Sequence, residues 1–340
     1  VAVNTGPLPR PGGQGSSQRK CSSDDHREVR ITIMTTAEPH VLAVDVGGTK
    51  LAAALVGESG RVLVHREVHT PAAPAGAAGV VAHALIDLIK QTIDGYRPIA
   101  AAVASAGPLD SAAGAASPVN IPAWRDFPLV DCVMEASGGL STALIGDAIA
   151  AAVGEQWLGA GTDSAALLGL VVSTGIGGGL VLGGVPFLGP SGNAGHIGHI
   201  YADAYMEECP CGARGCVETA ASGPSMVRYA HRAGWIGPDA RALAESARAG
   251  DPLACGAFSR AADALATAVL GAAALCDLDV VVVGGGVAAA GEVLIRPLRE
   301  RIAHRARMEF VRRVEVRQAL LGRQAGLIGA ARYALRHQTG

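Results

Sequence analysis

Cys209, Cys211 and Cys216 fall within eight residues of the stretch CPCGARGCVE, and Glu218 follows two residues after the last. Three thiolates need one more ligand to close a tetrahedron around zinc, and His199 lies ten residues before Cys209. A His-Cys-Cys-Cys set leaves no open coordination position, so the metal it predicts is structural zinc. The competing reading is a redox or reactive thiol group. The chain has seven cysteines, an odd number with three in one loop, which does not fit a disulfide framework. Cys132, Cys255 and Cys276 read as small buried apolar residues.

Three glycine loops have the chemistry of anion contact. DVGGTK (Asp45 to Lys50) lets backbone N–H groups approach a phosphate, and Thr49 adds a hydroxyl. STGIGGG (Ser173 to Gly179) offers the same, and GGGV (Gly284 to Val287) lies between a buried strand and a helix start. Each loop taken alone also reads as an ordinary turn. Gly284, Gly286 and Ala289 fit GxGxxA, but no acid follows at the dinucleotide-fold spacing of about 20 residues. Asp147 ends the strand STALIGD and starts a helix. An acid there is either a helix N-cap or a base that takes a proton from an attacking hydroxyl. His196 to His199 spells HIGH, a synthetase signature, but no KMSKS accompanies it.

These loops need strands and helices to hold them. Residues 40–68 read as three short strands, 77–96 as an amphipathic helix, and IAAAVASAGPLD as a buried strand. STALIGD is a strand followed by a helix, and residues 166–187 give two strands around a glycine turn. Helices follow at 223–234, 239–250 and 252–275, then strand, glycine turn and helix from Asp279, a late strand at RRVEVRQA, and a closing helix at 323–336. Alternating strands and helices define an α/β chain. The strand–glycine turn–strand unit near Val41 recurs near Leu168, which predicts two similar lobes.

Composition narrows the partners. The 340 residues are 49% hydrophobic but only 4% aromatic, so Ala, Val, Leu and Ile must fill the core. A net charge of -2 gives no basic field for nucleic acid or a membrane surface. The uncharged run from Ala165 to Asn193 is too rich in glycine for a membrane helix. Residues 1–40, rich in Pro, Gly, Ser and charge, read as a disordered tail, with Met34 a candidate translation start. No targeting signal is visible, so the cytoplasm is the expected location.

Taken together, the motifs resemble the ROK family of sugar kinases and repressors, within the hexokinase–actin-like ATPase superfamily. VLAVDVGGTKLAAALV is similar to its first phosphate motif. VSTGIGGGLVLGGVPFLGPSGNAGHIGH is similar to its signature, and CPCGARGCVETAASG to its zinc motif. The resemblance covers residues 41–340. It implies a two-lobed actin-like ATPase (ribonuclease H-like) fold closing on sugar and ATP with Mg2+, usually as a homodimer. The expected lobes are 41–146 with the closing helix 323–340, and 147–322 with the zinc loop. By position, Asp147 matches the general base, and His199, Cys209, Cys211 and Cys216 match the ligands of a structural Zn2+. Gly107, Asn120 and Glu218 match sugar contacts, and His196 stands at another. Asp45, Gly47, Gly48, Thr49, Lys50, Thr174, Gly175 and Gly177 match phosphate positions, and Gly285 and Gly286 the adenosine side.

Two residues depart from the family kinase pattern. Gly146 replaces an asparagine before Asp147, and His196 replaces a glutamate. One sugar-binding amide and one carboxylate are thus missing. The resemblance implies an ATP-dependent hexose or amino-sugar 6-kinase with altered preference. The alternatives are a sugar-binding pseudokinase and a sugar-responsive regulator. The latter would lack a DNA-binding module, because residues 1–40 show no apolar helical repeat.

Overall fold

Apolar runs that alternate with helical stretches become two mixed sheets. The computed structural model describes residues 38–203 and 207–337. Most of the expected tail at 1–40, with Met34, lies outside the described residues, as do the last residues of the closing segment 323–340.

In the first sheet, β1 (His40–Val46), β2 (Lys50–Gly57) and β3 (Val62–His69) form an antiparallel meander. Helix α1 (Ala78–Ile93) crosses to β4 (Ala101–Ser105), which pairs parallel with β1. A ribbon of β5 (Leu109–Asp110) and β6 (Ala115–Ala116), then α2 (Leu129–Ala136), lead to β7 (Thr142–Gly146), parallel to β4. The order is β3-β2-β1-β4-β7. Strands β1 and β4 are covered on both faces, which is why they read as continuous apolar runs. The edge strand β3 instead carries His65, Arg66, Glu67 and His69 toward water.

After α3 (Asp147–Leu158) the second sheet repeats the plan. β8 (Ala166–Val172), β9 (Ile176–Leu182) and β10 (Val185–Phe187) form the meander. Next come α4 (Glu218–Ala221), α5 (Gly223–Arg232), α6 (Ala240–Arg248) and α7 (Pro252–Cys276). β11 (Val280–Gly284) pairs parallel with β8, and after α8 (Glu292–Arg305) and α9 (Glu309–Arg312), β12 (Glu315–Gln318) pairs parallel with β11. The order β10-β9-β8-β11-β12 mirrors the first sheet element for element. Asp239 caps α6 by accepting from Ala242 N–H, and Asp251 caps α7 by accepting from Leu253 and Ala254 N–H. Helix α7 is long and apolar enough to cross a membrane. Its Phe258, Leu265 and Val269 are buried in the core beside the second sheet.

The closing helix α10 (Ala325–His337) returns to the first sheet and packs on α3. Both helices lie in one apolar cluster that joins Val41 and Ala43 of the first sheet to Leu167, Val181 and Val282 of the second. At their crossing a Cβ on Gly329 would lie 1.7 Å from Ala150 O, so only glycine permits this approach. Glu155 near the end of α3 is buried, and its carboxylate accepts from the N–H groups of Ala160, Leu320 and Leu321. It thereby ties α3 to the segment that leads into α10, and satisfies a buried charge.

Candidate active site

The two meander hairpins place equivalent loops, Gly47-Gly48-Thr49 and Ser173-Thr174-Gly175, at the ends of corresponding strands. The first is closed by Gly47 N–H donating to Lys50 O and is braced by the Thr70 hydroxyl donating to Gly47 O. A Cβ on Gly48 would sit 2.3 Å from Asn120 Cβ. The glycine thus lets Asn120, from the segment after β6, lie directly against the loop. The Lys50 ammonium lies 3.3 Å from Glu67 on β3, so in this structure the strand acid is its partner.

The second loop holds Glu218. Its Oε2 accepts from Ile176 N–H at 2.9 Å and lies close to Gly175. Glu218 heads α4, and the Arg260 guanidinium of α7 donates to the Thr219 and Ala220 carbonyls of that short helix. Arg260 also lies over the Tyr229 ring, 4.9 Å from its centroid. The third loop lies next to these: Val287 N–H donates to Val172 O, and Gly286 faces the Ser173 hydroxyl.

A cleft of about 340 Å³, counted to its open mouth, lies between the lobes. Gly107, Asp147, Gly177 and His196 line it together. Gly146 takes the cap position of α3 and Asp147 is the helix's first residue, so the N-cap reading of Asp147 does not hold. Its Oδ1 accepts from Ala148 N–H at 2.7 Å. Asp147 touches solvent yet lies deep among protein atoms, and this desolvation pushes its carboxyl above the usual range. The Ala148 N–H and His196 pull in the opposite direction. Asp45, at the end of β1, is pushed up to about 6 by desolvation and then by the charge of Asp147, against a smaller effect of Lys50. Asp147 lines the cleft, and Asp45 lies near enough to feel its charge.

His199, Cys209, Cys211 and Cys216 converge with their ligand atoms all within 4.8 Å of one another. Cys209 Sγ is 3.6 Å from His199 Nδ1, and Cys211 Sγ is 3.7 Å from Cys216 Sγ. Zinc–sulfur bonds of about 2.3 Å put tetrahedral ligand atoms roughly 3.8 Å apart, so this set fits zinc. Burial pushes the Cys216 thiol up to about 12, and a bound cation is what would favour its thiolate. The His196 and His199 rings stack at 6.1 Å, which connects this centre to the cleft wall.

Sequence reasoning missed three side chains here: Thr70, Arg260 and Asn193. Each acts through backbone atoms of a segment distant in sequence, a relation without a local motif. The polar amide of Asn193 in the small-residue loop GPSGNAGH was the one available signal.

Two lobes that repeat one sheet, with glycine hairpins and an acid facing the cleft between them, define an actin-like ATPase fold of the sugar-kinase kind. The sequence model of the ROK family matches residues 41–337, and the chain belongs to the ROK family. It is 36% identical over 295 residues to an N-acetylmannosamine kinase of Yersinia pseudotuberculosis, covering 86% of this chain and 97% of that protein. The crystal structure of a ROK hexokinase from Thermus thermophilus superposes with a TM-score of 0.76 at 36% identity, covering 88% of this chain and 100% of the other. A ROK family glucokinase from Streptomyces griseus, in complex with glucose and AMPPNP, superposes with a TM-score of 0.75 at 33% identity, covering 87% and 99%. These relatives place the chain among the family's sugar kinases.

Proposed function

We propose that this chain transfers the γ-phosphate of ATP to the 6-hydroxyl of a hexose or an N-acetylated hexosamine. The observation that carries this reading is the position of Asp147 on the floor of the cleft, beside Gly107 and His196. Asp147 accepts the proton of the hydroxyl as its oxygen bonds to the γ-phosphorus. The bond from that phosphorus to the bridging oxygen breaks, and ADP leaves. A carboxylate with a raised pKa is a stronger base, better matched to this transfer near neutral pH. The N–H groups and hydroxyls of the loops at Gly47 to Thr49 and Thr174 to Gly177 offset phosphate charge as it shifts. Gly285 and Gly286 receive the adenosine side.

Magnesium carried by ATP would supply further positive charge, and the electrostatically coupled carboxylates of Asp45 and Asp147 suit a divalent cation in that region. Zinc, held by His199, Cys209, Cys211 and Cys216, has no open position and serves to fix the loop that ends at Glu218. Asn120, His196 and Glu218 bind sugar hydroxyls. A neutral imidazole at His196 donates one hydrogen bond and accepts one, whereas a carboxylate only accepts. Both the N-acetylmannosamine kinase and the glucokinase relatives support the two sugar classes. The same reading takes the working form as a cytoplasmic homodimer.

The test is ADP release from ATP with N-acetylmannosamine, N-acetylglucosamine, glucose and mannose, with product position read by NMR. Turnover of at least one sugar to its 6-phosphate is expected. Sugar binding without turnover of any of them would instead identify a pseudokinase.

A further inference from the structure

Asn193 is a polar wall residue of the cleft to which the transfer chemistry gives no task. Asn193 belongs to the loop after β10, in the second lobe. Its Oδ1 accepts from Leu109 N–H at 2.9 Å, and its Nδ2 donates to Leu109 O at 2.8 Å. Leu109 belongs to the first lobe and opens β5. The same Nδ2 group donates to Ser191 O at 3.0 Å, which fixes the amide's orientation within its own loop. Nearby, Ser111 Oγ donates to Ser191 O at 3.4 Å, and Gly192 packs against that hydroxyl.

The chemistry of the match is specific. A carboxamide carries one acceptor and one donor group, as a peptide unit does. It can therefore pair with both main-chain groups of one residue, as a neighbouring strand would. Leu109 faces Ala116 across the ribbon, while its own N–H and C=O turn to Asn193. A carboxylate could satisfy only the N–H, and an aliphatic side chain neither.

The position gives this pairing its consequence. Leu109 lies two residues from Gly107 and Asn193 three residues from His196, and all four line the cleft. A Cβ on Gly107 would meet Asn193 Oδ1 at 3.4 Å and His196 Nε2 at 3.5 Å. The clasp thus draws together the sugar-facing segments of the two lobes. We propose that Asn193 is an interlobe latch: its clasp on Leu109 holds the sugar end of the cleft closed and so sets sugar affinity. It is a positioning residue, and its role in affinity depends on the sugar-kinase reading above. When only a fraction of the molecules is closed, apparent affinity falls by that fraction.

The experiment compares the full-length zinc-loaded enzyme with Asn193→Ala and Asn193→Asp. Loss of two hydrogen bonds should raise the KM and Kd for the turned-over sugar about 10–30-fold in Asn193→Ala. The kcat at saturating sugar should stay within about two-fold, because bound sugar restores closure. Asn193→Asp keeps the acceptor for Leu109 N–H and should fall between the two. Hydrogen exchange at the Leu109 amide should speed up in Asn193→Ala, with zinc content unchanged. A merely structural asparagine would lower the melting temperature without this KM-against-kcat split. Unchanged sugar KM in a folded Asn193→Ala, or unchanged exchange at Leu109, overturns the latch. If the wild type turns over no sugar, the functional reading fails separately, and exchange at Leu109 alone decides whether the latch exists.

Discussion

The two lobes build the same five-stranded sheet and then elaborate it in different places. In the first, the passage from β3 to β4 is the single helix α1, whereas the corresponding passage from β10 to β11 spans residues 188–279 and holds the zinc centre and α4 to α7. In the first lobe the larger addition comes later, between β4 and β7, where the β5–β6 ribbon and Asn120 are found. The shared frame carries the two glycine hairpins and Asp45, with Asp147 following β7. The additions carry Gly107, Asn120, His196 and Glu218. They meet across the cleft where Asn193 clasps Leu109. On the proposed function, the comparison separates two tasks: the repeated frame would handle phosphate and the proton, and the unrepeated additions would select the sugar.

The hardest test of that separation is Asp147→Asn. Loss of the base should lower kcat by roughly 10²–10⁴ while calorimetric sugar affinity changes little. A near-normal kcat would remove Asp147 from the chemistry. A smaller effect is expected from Gly48→Ala, where frame and addition touch. The new methyl must displace Asn120, which lies 2.3 Å from the added Cβ position. Overpacking of this kind costs about 1–3 kcal/mol, and KM should rise for both ATP and sugar. An effect on ATP alone would mean that Asn120 is not a sugar contact.

Asp45 sharpens the comparison from the frame's side. Its carboxyl is raised from 3.8 to about 6, so the folded protein retains a proton that the unfolded chain has released. Stability therefore falls as pH rises from about 4 to 6, and the desolvated charge costs on the order of 3 kcal/mol above that window. Asp45→Asn should raise the melting temperature at pH 8 and leave it unchanged at pH 4. No gain at pH 8 would show that a neighbouring group already compensates the charge. Within the additions, His196→Glu should move kcat/KM ratios among glucose and the N-acetylhexosamines by about ten-fold. An unchanged ranking would take His196 out of the sugar site.

The division also explains what was legible from sequence. β1, β8 and β11 are apolar runs ending in glycine loops, and cysteine spacing alone drew His199, Cys209, Cys211 and Cys216 together. The repeat was visible for the same reason, since both hairpins use glycine and threonine at the turn. The short helices α2, α4 and α9 were not anticipated, because packing, rather than periodicity over a few residues, decides such elements. Lys50 read as a phosphate contact, yet its ammonium lies beside Glu67, a partner on the neighbouring strand that no loop motif reveals. Asn193 lay hidden because its partner is the backbone of a residue 84 positions away.

The claim that frame and additions divide the work is tested most directly by Cys211→Ser, with sugar and ATP kinetics measured alongside zinc content. The account predicts zinc below one per chain and a sugar KM raised by roughly 10–100-fold, because Glu218 loses the support of its loop. It also predicts little change in ATP KM or in kcat at saturating sugar. A collapse of kcat with unchanged sugar KM, or full zinc retention with unchanged kinetics, would contradict it.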